Sequence, residues 1–210
     1  MTKLLLYCTK AKPYLVYDYY DNSCGKCITA DKIESYHLNG KIVAECECEK
    51  INYYEMEYYA DNLVMNDISI YNKVESEEWG YDCFNRVISN EYSDEEIANC
   101  PLLKDSCLTF DELGSYVCPN DGFGYFYALH LSNIKVLNNP LQFEKDFIYK
   151  DYNSNELITK APQNMCNVYD RFGNHYILIS IQPQHLWKIL NGEKTIEVRK
   201  KILNSLKEML

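Results

Sequence analysis

Lys194, Glu197 and Arg199 are the residues of this chain whose types and spacing best suit work on a phosphate or a base. They close the segment 177–200, ILISIQPQHLWKILNGEKTIEVRK. Residues 195–199 alternate in character, so Ile196 and Val198 are expected inward and Thr195, Glu197 and Arg199 outward. Glu197 and Arg199 then leave one sheet face about 7 Å apart, with Lys194 on the turn beside them. A carboxylate held among cations keeps a depressed pKa and can orient a guanidinium. An oriented guanidinium reads a phosphate or a base edge with its planar fork. The same pattern also describes a surface ion-pair cluster on an edge strand.

Other chemistry-bearing residues are less organised. Cys24-Gly-Lys-Cys27 is a CxxC, either half of a zinc site or a redox pair. Cys8, Cys46 or Cys48 can be imagined as further ligands, but there is no second CxxC, and two loop thiols is the simpler reading. No metal and no cofactor is expected. His37, His130, His175 and His185 lack ligand spacing: His185 falls on the exposed side of a helix and His130 ends a strand. Trp187 is read as a packing residue. A phosphate-binding glycine loop and a Ser-His-Asp signature are both absent from the sequence.

The elements that position the charged trio can be read from pattern. Residues 177–181 are an apolar strand. Pro183 suits the first helical position, where its missing N–H costs nothing. Leu186, Ile189 and Leu190 lie at i, i+3 and i+4 and give a short helix one buried stripe. Asn191-Gly192 supplies the positive φ that ends it. Upstream, residues 3–8 form a short buried strand. In 41–49 (KIVAECECE), Ile42, Ala44, Cys46 and Cys48 share the core face. Thr109-Phe-Asp-Glu112 is a capping box that opens a helix to about Tyr116, and Ser93 to Glu96 has a helix-start signature. Strands are expected at 124–131 and 134–137, a helical turn at 140–147, and irregular chain over 148–170.

Composition bounds the rest. The 210 residues carry a net charge of −10, ordinarily an argument against a nucleic-acid partner. Residues 45–96, however, hold 15 Asp/Glu and only 3 Lys/Arg, leaving 16 acidic and 18 basic residues elsewhere. The acidity belongs to one region, which reads as an acidic, Tyr-rich insertion at about 52–105: a solvated surface, or a docking face for a basic protein partner. Ten cysteines in a long chain with no export signal read as reduced thiols. No apolar run approaches a membrane span, so a cytoplasmic protein without membrane contact is expected.

Gly192-x-Lys194-x-x-Glu197-x-Arg199, following a strand and a short helix ending in Asn-Gly, resembles the G-x-K-x-x-E-x-R signature of the ASCH domain family. That family is a group of small PUA-like β-barrels associated with RNA. Residues 4–13 (LLLYCTKAKP), 40–51 (GKIVAECECEKI) and 125–140 (YFYALHLSNIKVLNNP) resemble its further strands. About half of the chain is covered. The order differs, because the segment that usually opens the domain stands last here. The resemblance therefore implies one α+β domain, a PUA-like (ASCH) mixed β-barrel with short flanking helices in circularly permuted order. Its core strands would be about 3–12, 40–51, 124–140 and 177–201, the usual ends being joined through about 148–175. Completion of a neighbour's barrel by domain swapping, or an engineered rearrangement, gives the same order, so both a monomer and a swapped dimer fit.

For function, the resemblance implies binding of RNA or a nucleotide-like ligand in a cleft between the barrel and the 183–190 helix. Lys194, Glu197 and Arg199 would contact it, with Lys10 and Lys12 from the adjacent strand. Single-strand recognition needs aromatic stacking as well as cations, and twenty tyrosines are too many for the sequence to single one out. The alternative is a hydrolase on RNA or a nucleoside, an amidohydrolase or a ribonuclease, with Lys194 and Glu197 as its catalytic pair. Family members that resemble deacetylases of acetylated cytidine place a Thr where this chain has Glu197. Thr195 is a poor substitute, which leaves Glu197, His130 or His175 as a general base for water.

Overall fold

The computed structural model describes residues 2–9, 14–16, 26–28, 38–59, 62–68, 85–89, 92–119, 122–142, 149–151 and 153–207. It is mixed α+β, sheet with short helices, and falls into two compact units: Met1–Glu47 with Asn133–Gly192, and Cys48–Ser132 with Glu193–Leu210. Lys10 and Lys12, the possible phosphate contacts, and Cys24 of the CxxC lie outside the described residues. A small hairpin pairs β2 (Tyr14–Val16) with β3 (Lys26–Ile28), which carries Cys27.

In the first unit, β1 (Thr2–Cys8) lies between β10 (His175–Ile181) and the start of β4 (Lys41–Tyr59). β1 and β10 run parallel, with Leu4 opposite Ile177 and Cys8 opposite Ile181. Both are buried along nearly their whole length, as central parallel strands are. Tight contacts at both ends, from Gly40 N–H to the Cys8 carbonyl and from Lys3 to Glu45, set β1 antiparallel to β4. Beyond β10 come β9 (Met165–Tyr169) and β8 (Lys150–Asp151). These two strands replace the irregular chain expected over 148–170. Their apolar residues do not alternate cleanly, and pairing decides the conformation instead. Leu5, Tyr7, Ile42, Val168, Tyr176 and Leu178 form this unit's apolar cluster. Helix α4 (Pro183–Leu190) packs on β1, burying Pro183, Leu186 and Ile189, and ends at Gly192 with φ 75°.

In the second unit the strand order is β11 (Ile196–Arg199), β7 (Phe123–Gln142), β4, β5 (Asn62–Asp67) and β6 (Asn85–Ser89). The two strands expected at 124–131 and 134–137 are one strand, β7, which passes through Asn133 at φ 48° and continues to Gln142; the helical turn expected at 140–147 lies, beyond Gln142, outside the described residues. β4 likewise runs past its clean alternation to Tyr59, so the stretch taken as an insertion begins as sheet. Three short helices follow: α1 (Asp94–Ala98), α2 (Pro101–Ser106) and α3 (Phe110–Val117). Both expected capping boxes are present. Glu112 N–H donates to Thr109 Oγ1 at 3.1 Å while Thr109 N–H donates to the Glu112 carboxylate at 2.9 Å. Ser93 and Glu96 reciprocate in the same way. Helix burial of Leu102, Leu103, Phe110, Leu113 and Val117 meets Tyr54, Met56, Met65, Phe126, Ala128, Ile196 and Val198 on one sheet face.

Neither unit's sheet closes on itself among the described residues, so the α+β class is as expected and the closed barrel is not found there. No described helix is long and apolar enough to cross a membrane.

Candidate nucleic-acid interface

The trio singled out in the sequence lies within the second unit, and it forms one ionic unit. Glu197 Oε2 is 3.0 Å from Lys194 Nζ, and Glu197 Oε1 is 2.8 Å from Arg199 Nη2. Each carboxylate oxygen therefore takes one cation. The expectation of outward, solvated side chains is corrected here. Lys194 and Glu197 are buried, at 3% and 6% exposed, and the Arg199 side chain retains only 14% of its surface. The surface ion-pair reading falls with it. Three charges can be buried together because two cations share one carboxylate; removing a member leaves a desolvated charge without compensation.

Local backbone explains how Lys194 is placed. Thr195 N–H donates to the Asp105 carbonyl at the end of α2, and Leu131 N–H of β7 donates to the Thr195 carbonyl, both at 2.8 Å. Cys107, in the left-handed region at φ 54°, brings its thiol 3.2 Å from the Glu193 carbonyl. The turn into β11 is thus pinned from two sides before the strand begins.

Register then identifies what shares the face of Glu197 and Arg199. β11 pairs β7 antiparallel, with Glu197 opposite Leu129 and Arg199 opposite Tyr127. Directly opposed residues share a face, so Tyr127 and Arg199 point the same way, while Ile196, Val198 and Ala128 enter the core. On β4, Tyr53 stacks on Tyr127 with centroids 4.6 Å apart at 17°, and on Tyr125 at 5.4 Å and 26°. Phe123 meets Tyr125 edge-on at 4.6 Å and 82°. The result is a continuous aromatic row, Tyr127, Tyr53, Tyr125, Phe123. It starts beside Arg199 and ends in rings that are 39% (Tyr125) and 53% (Phe123) exposed.

This row is the part of the site that the sequence reading missed. The signal was present in the alternation of Tyr125 and Tyr127, but Tyr53 joins them only through a pairing some seventy residues away. Burial pushes the Tyr53 hydroxyl up to about 12, with its neighbours Tyr127, Tyr125 and Glu55 adding to the shift. Tyr125 is also raised, first by desolvation and then by the charges of Glu55 and Glu57. Both hydroxyls therefore stay protonated at physiological pH.

His130 does not join the trio. His130 stands opposite Ile196, so it belongs to the other face. Its Nε2 lies 3.0 Å from Asn52 Oδ1, and Asn52 Nδ2 donates to Asp67 at 3.1 Å. Desolvation, then Lys50, lowers its pKa against the opposing pull of Asp105, Glu49 and Asp67. It is a neutral, structurally engaged imidazole. His175 belongs to the first unit, exposed and 3.2 Å from Asn167 Oδ1. Thr195 is exposed while Lys194 and Glu197 are buried, so Thr195 does not stand in for a nucleophile beside that pair. Among the described residues no cluster of His, Cys, Asp or Glu could hold a metal ion.

What the arrangement can do is stack flat rings on an open aromatic end while a fixed guanidinium stands at the other. In comparisons with known proteins, no family model, no curated protein and no solved structure matches this chain.

Proposed function

We propose that this chain binds single-stranded RNA or a modified nucleoside, stacking a base on the Tyr127, Tyr53, Tyr125 row and meeting phosphate with Arg199. The observation that carries the proposal is that this row shares one sheet face with Arg199 and ends in exposed rings. Base-on-aromatic stacking contributes about 1–3 kcal/mol per base, and Arg presents donors in a plane that suits phosphate. Lys194 and Glu197 hold the guanidinium in place. We further propose an ASCH-type, PUA-like fold in permuted order. It is supported by strand at 177–181, helix at 183–190 and strand at 196–199, and by the ion pairing of the three motif charges. A cytoplasmic setting accords with the seven cysteines whose side chains are described, all of them free thiols.

A hydrolase draws no comparable support, because the carboxylate it would use is committed to two cations. The test is an anisotropy titration with a dye-labelled, uridine-rich single-stranded RNA. Tyr125→Ala is expected to weaken binding at least fivefold, whereas Tyr116→Ala, an exposed tyrosine of α3 lying under Lys200, leaves it unchanged. Wild-type affinity in Tyr125→Ala removes the stacking platform from the account.

A further inference from the structure

The first unit carries its own group of rings and cations, at one end of its sheet. Lys150 of β8 stands opposite Tyr169 of β9, and Tyr169 stands opposite His175 of β10. On the outer side Leu157 bridges to Lys150. Directly opposed residues share a face, so Leu157, Lys150, Tyr169 and His175 form one row across it. Leu157 and His175 are exposed, Lys150 and Tyr169 half-buried. The Tyr169 hydroxyl donates to Asn155 Oδ1, which holds the ring.

Beyond Tyr169 and His175 the hairpin closes through residues 170–174. Asp170 Oδ1 accepts from the N–H groups of Phe172 at 2.8 Å and Asn174 at 3.0 Å, and Oδ2 from Asn174 Nδ2 at 2.8 Å. Gly173, at φ 85°, donates its N–H to the Asp170 carbonyl at 3.0 Å. A loop tied this often presents its tip in one arrangement, and the tip is Arg171 and Phe172. Phe172 is 75% exposed, and the Arg171 guanidinium lies 4.8 Å from its ring centroid.

The carboxylates of this end belong to the other face. Asp151 is opposite Val168, and its N–H donates to the Glu156 carbonyl, so both alternate away from Lys150 and Leu157. Asp151 Oδ1 accepts from the N–H groups of Asn153 and Ser154, each at 2.9 Å. Cys166, raised first by burial and then by Asp151, packs with the apolar cluster on that same opposite face. Asp170 is committed to the loop it ties. Among the described residues, the formal charges of the row and the tip are therefore Lys150 and Arg171. Flat rings interleaved with cations suit the bases and phosphates of a single strand, and stacking contributes about 1–3 kcal/mol per base. One phenylalanine and one leucine bury too little apolar surface to hold a lipid interface.

We propose that the Arg171–Phe172 tip and the Lys150, Tyr169, His175 row form a further contact for single-stranded RNA, with bases on Phe172 and Tyr169 and phosphates on Arg171 and Lys150. The inference rests on the reading above for its class of ligand and shares none of its residues.

The full chain is titrated with the dye-labelled, uridine-rich RNA at several salt concentrations, following anisotropy. Phe172→Ala with Arg171→Gln is expected to weaken binding at least about threefold and to make the salt slope shallower by about 0.7, with an unchanged circular dichroism spectrum. Lys150→Gln is expected to lower affinity in the same direction. Val136→Ala, at an exposed residue of β7, leaves it unchanged. Wild-type affinity and slope in the tip and Lys150 variants overturn the inference and leave the Tyr125 platform standing. Loss in these variants with wild-type affinity in Tyr125→Ala keeps this contact and removes the platform. Sedimentation with vesicles of phosphatidylcholine and phosphatidylserine gives the remaining check. Vesicle binding that Phe172→Ala abolishes, with RNA affinity unmoved, overturns the inference in favour of a lipid surface. A wild-type chain that binds no RNA removes both readings.

Discussion

At the residue scale, the central fact is the burial of Lys194, Glu197 and Arg199 as a unit. Alternation in 195–199 identified the strand that Glu197 and Arg199 share but assigned both to solvent. Period-two patterns distinguish two faces and cannot say whether both are covered. Burial makes the trio sensitive to partial removal. Glu197→Ala leaves two desolvated cations and is expected to cost about 3–5 kcal/mol, read as a drop in the urea midpoint. Replacing all three together, as Lys194→Met, Glu197→Leu and Arg199→Met, is expected to restore most of that loss while RNA binding stays impaired. The buried thiol of Cys48 and the half-buried one of Cys166 give a second prediction. Burial pushes Cys48 and Cys166 up to about 11, against an ordinary 9.0. Neither is expected to react with iodoacetamide in the native protein at pH 8, as mass spectrometry of the digested chain will show. Because the folded-state values are raised, the stability linked to these thiols is fully present below pH 9. It is lost as pH climbs through about 11, so the urea midpoint falls across that window.

At the element scale, the signals most legible in the sequence were those written in adjacent residues. Pro183 opens α4, Gly192 at φ 75° ends its exit turn, and Thr109 with Glu112 caps α3. Each depends on a side chain and the backbone within one turn, so a single sequence suffices to find it. Gly192→Ala forces a Cβ into the left-handed region and is expected to cost about 1–2 kcal/mol, although nothing lies within 4 Å of the added atom. Thr109→Ala is expected to cost about 1 kcal/mol. Thermal unfolding measures both. Residues 148–170 failed for the converse reason: β9 is held by its pairing to β10, from His175 with Tyr169 to Ile179 with Met165, and its own sequence carries little period. The aromatic row escaped notice in the same way, since Tyr53 meets Tyr125 and Tyr127 only across a long-range register.

At the scale of the whole molecule, charge constrains the proposed binding. A chain of net charge −10 cannot hold nucleic acid by a diffuse cationic field, so affinity has to come from stacking with few phosphate contacts. With Arg199 as the phosphate contact, the logarithm of RNA affinity is expected to fall with the logarithm of salt at a slope no steeper than about −2. A slope near −5 would point to a polybasic track that the sequence does not contain. The most direct check on the account is to watch the rings themselves. In protein labelled with ¹³C in its tyrosine rings, added single-stranded RNA is predicted to move the signals of Tyr125 first, and those of Tyr53 and Tyr127 with it. Tyr116 and Tyr176 are predicted to stay unmoved. RNA binding that shifts other tyrosines and leaves Tyr125 in place would contradict the platform.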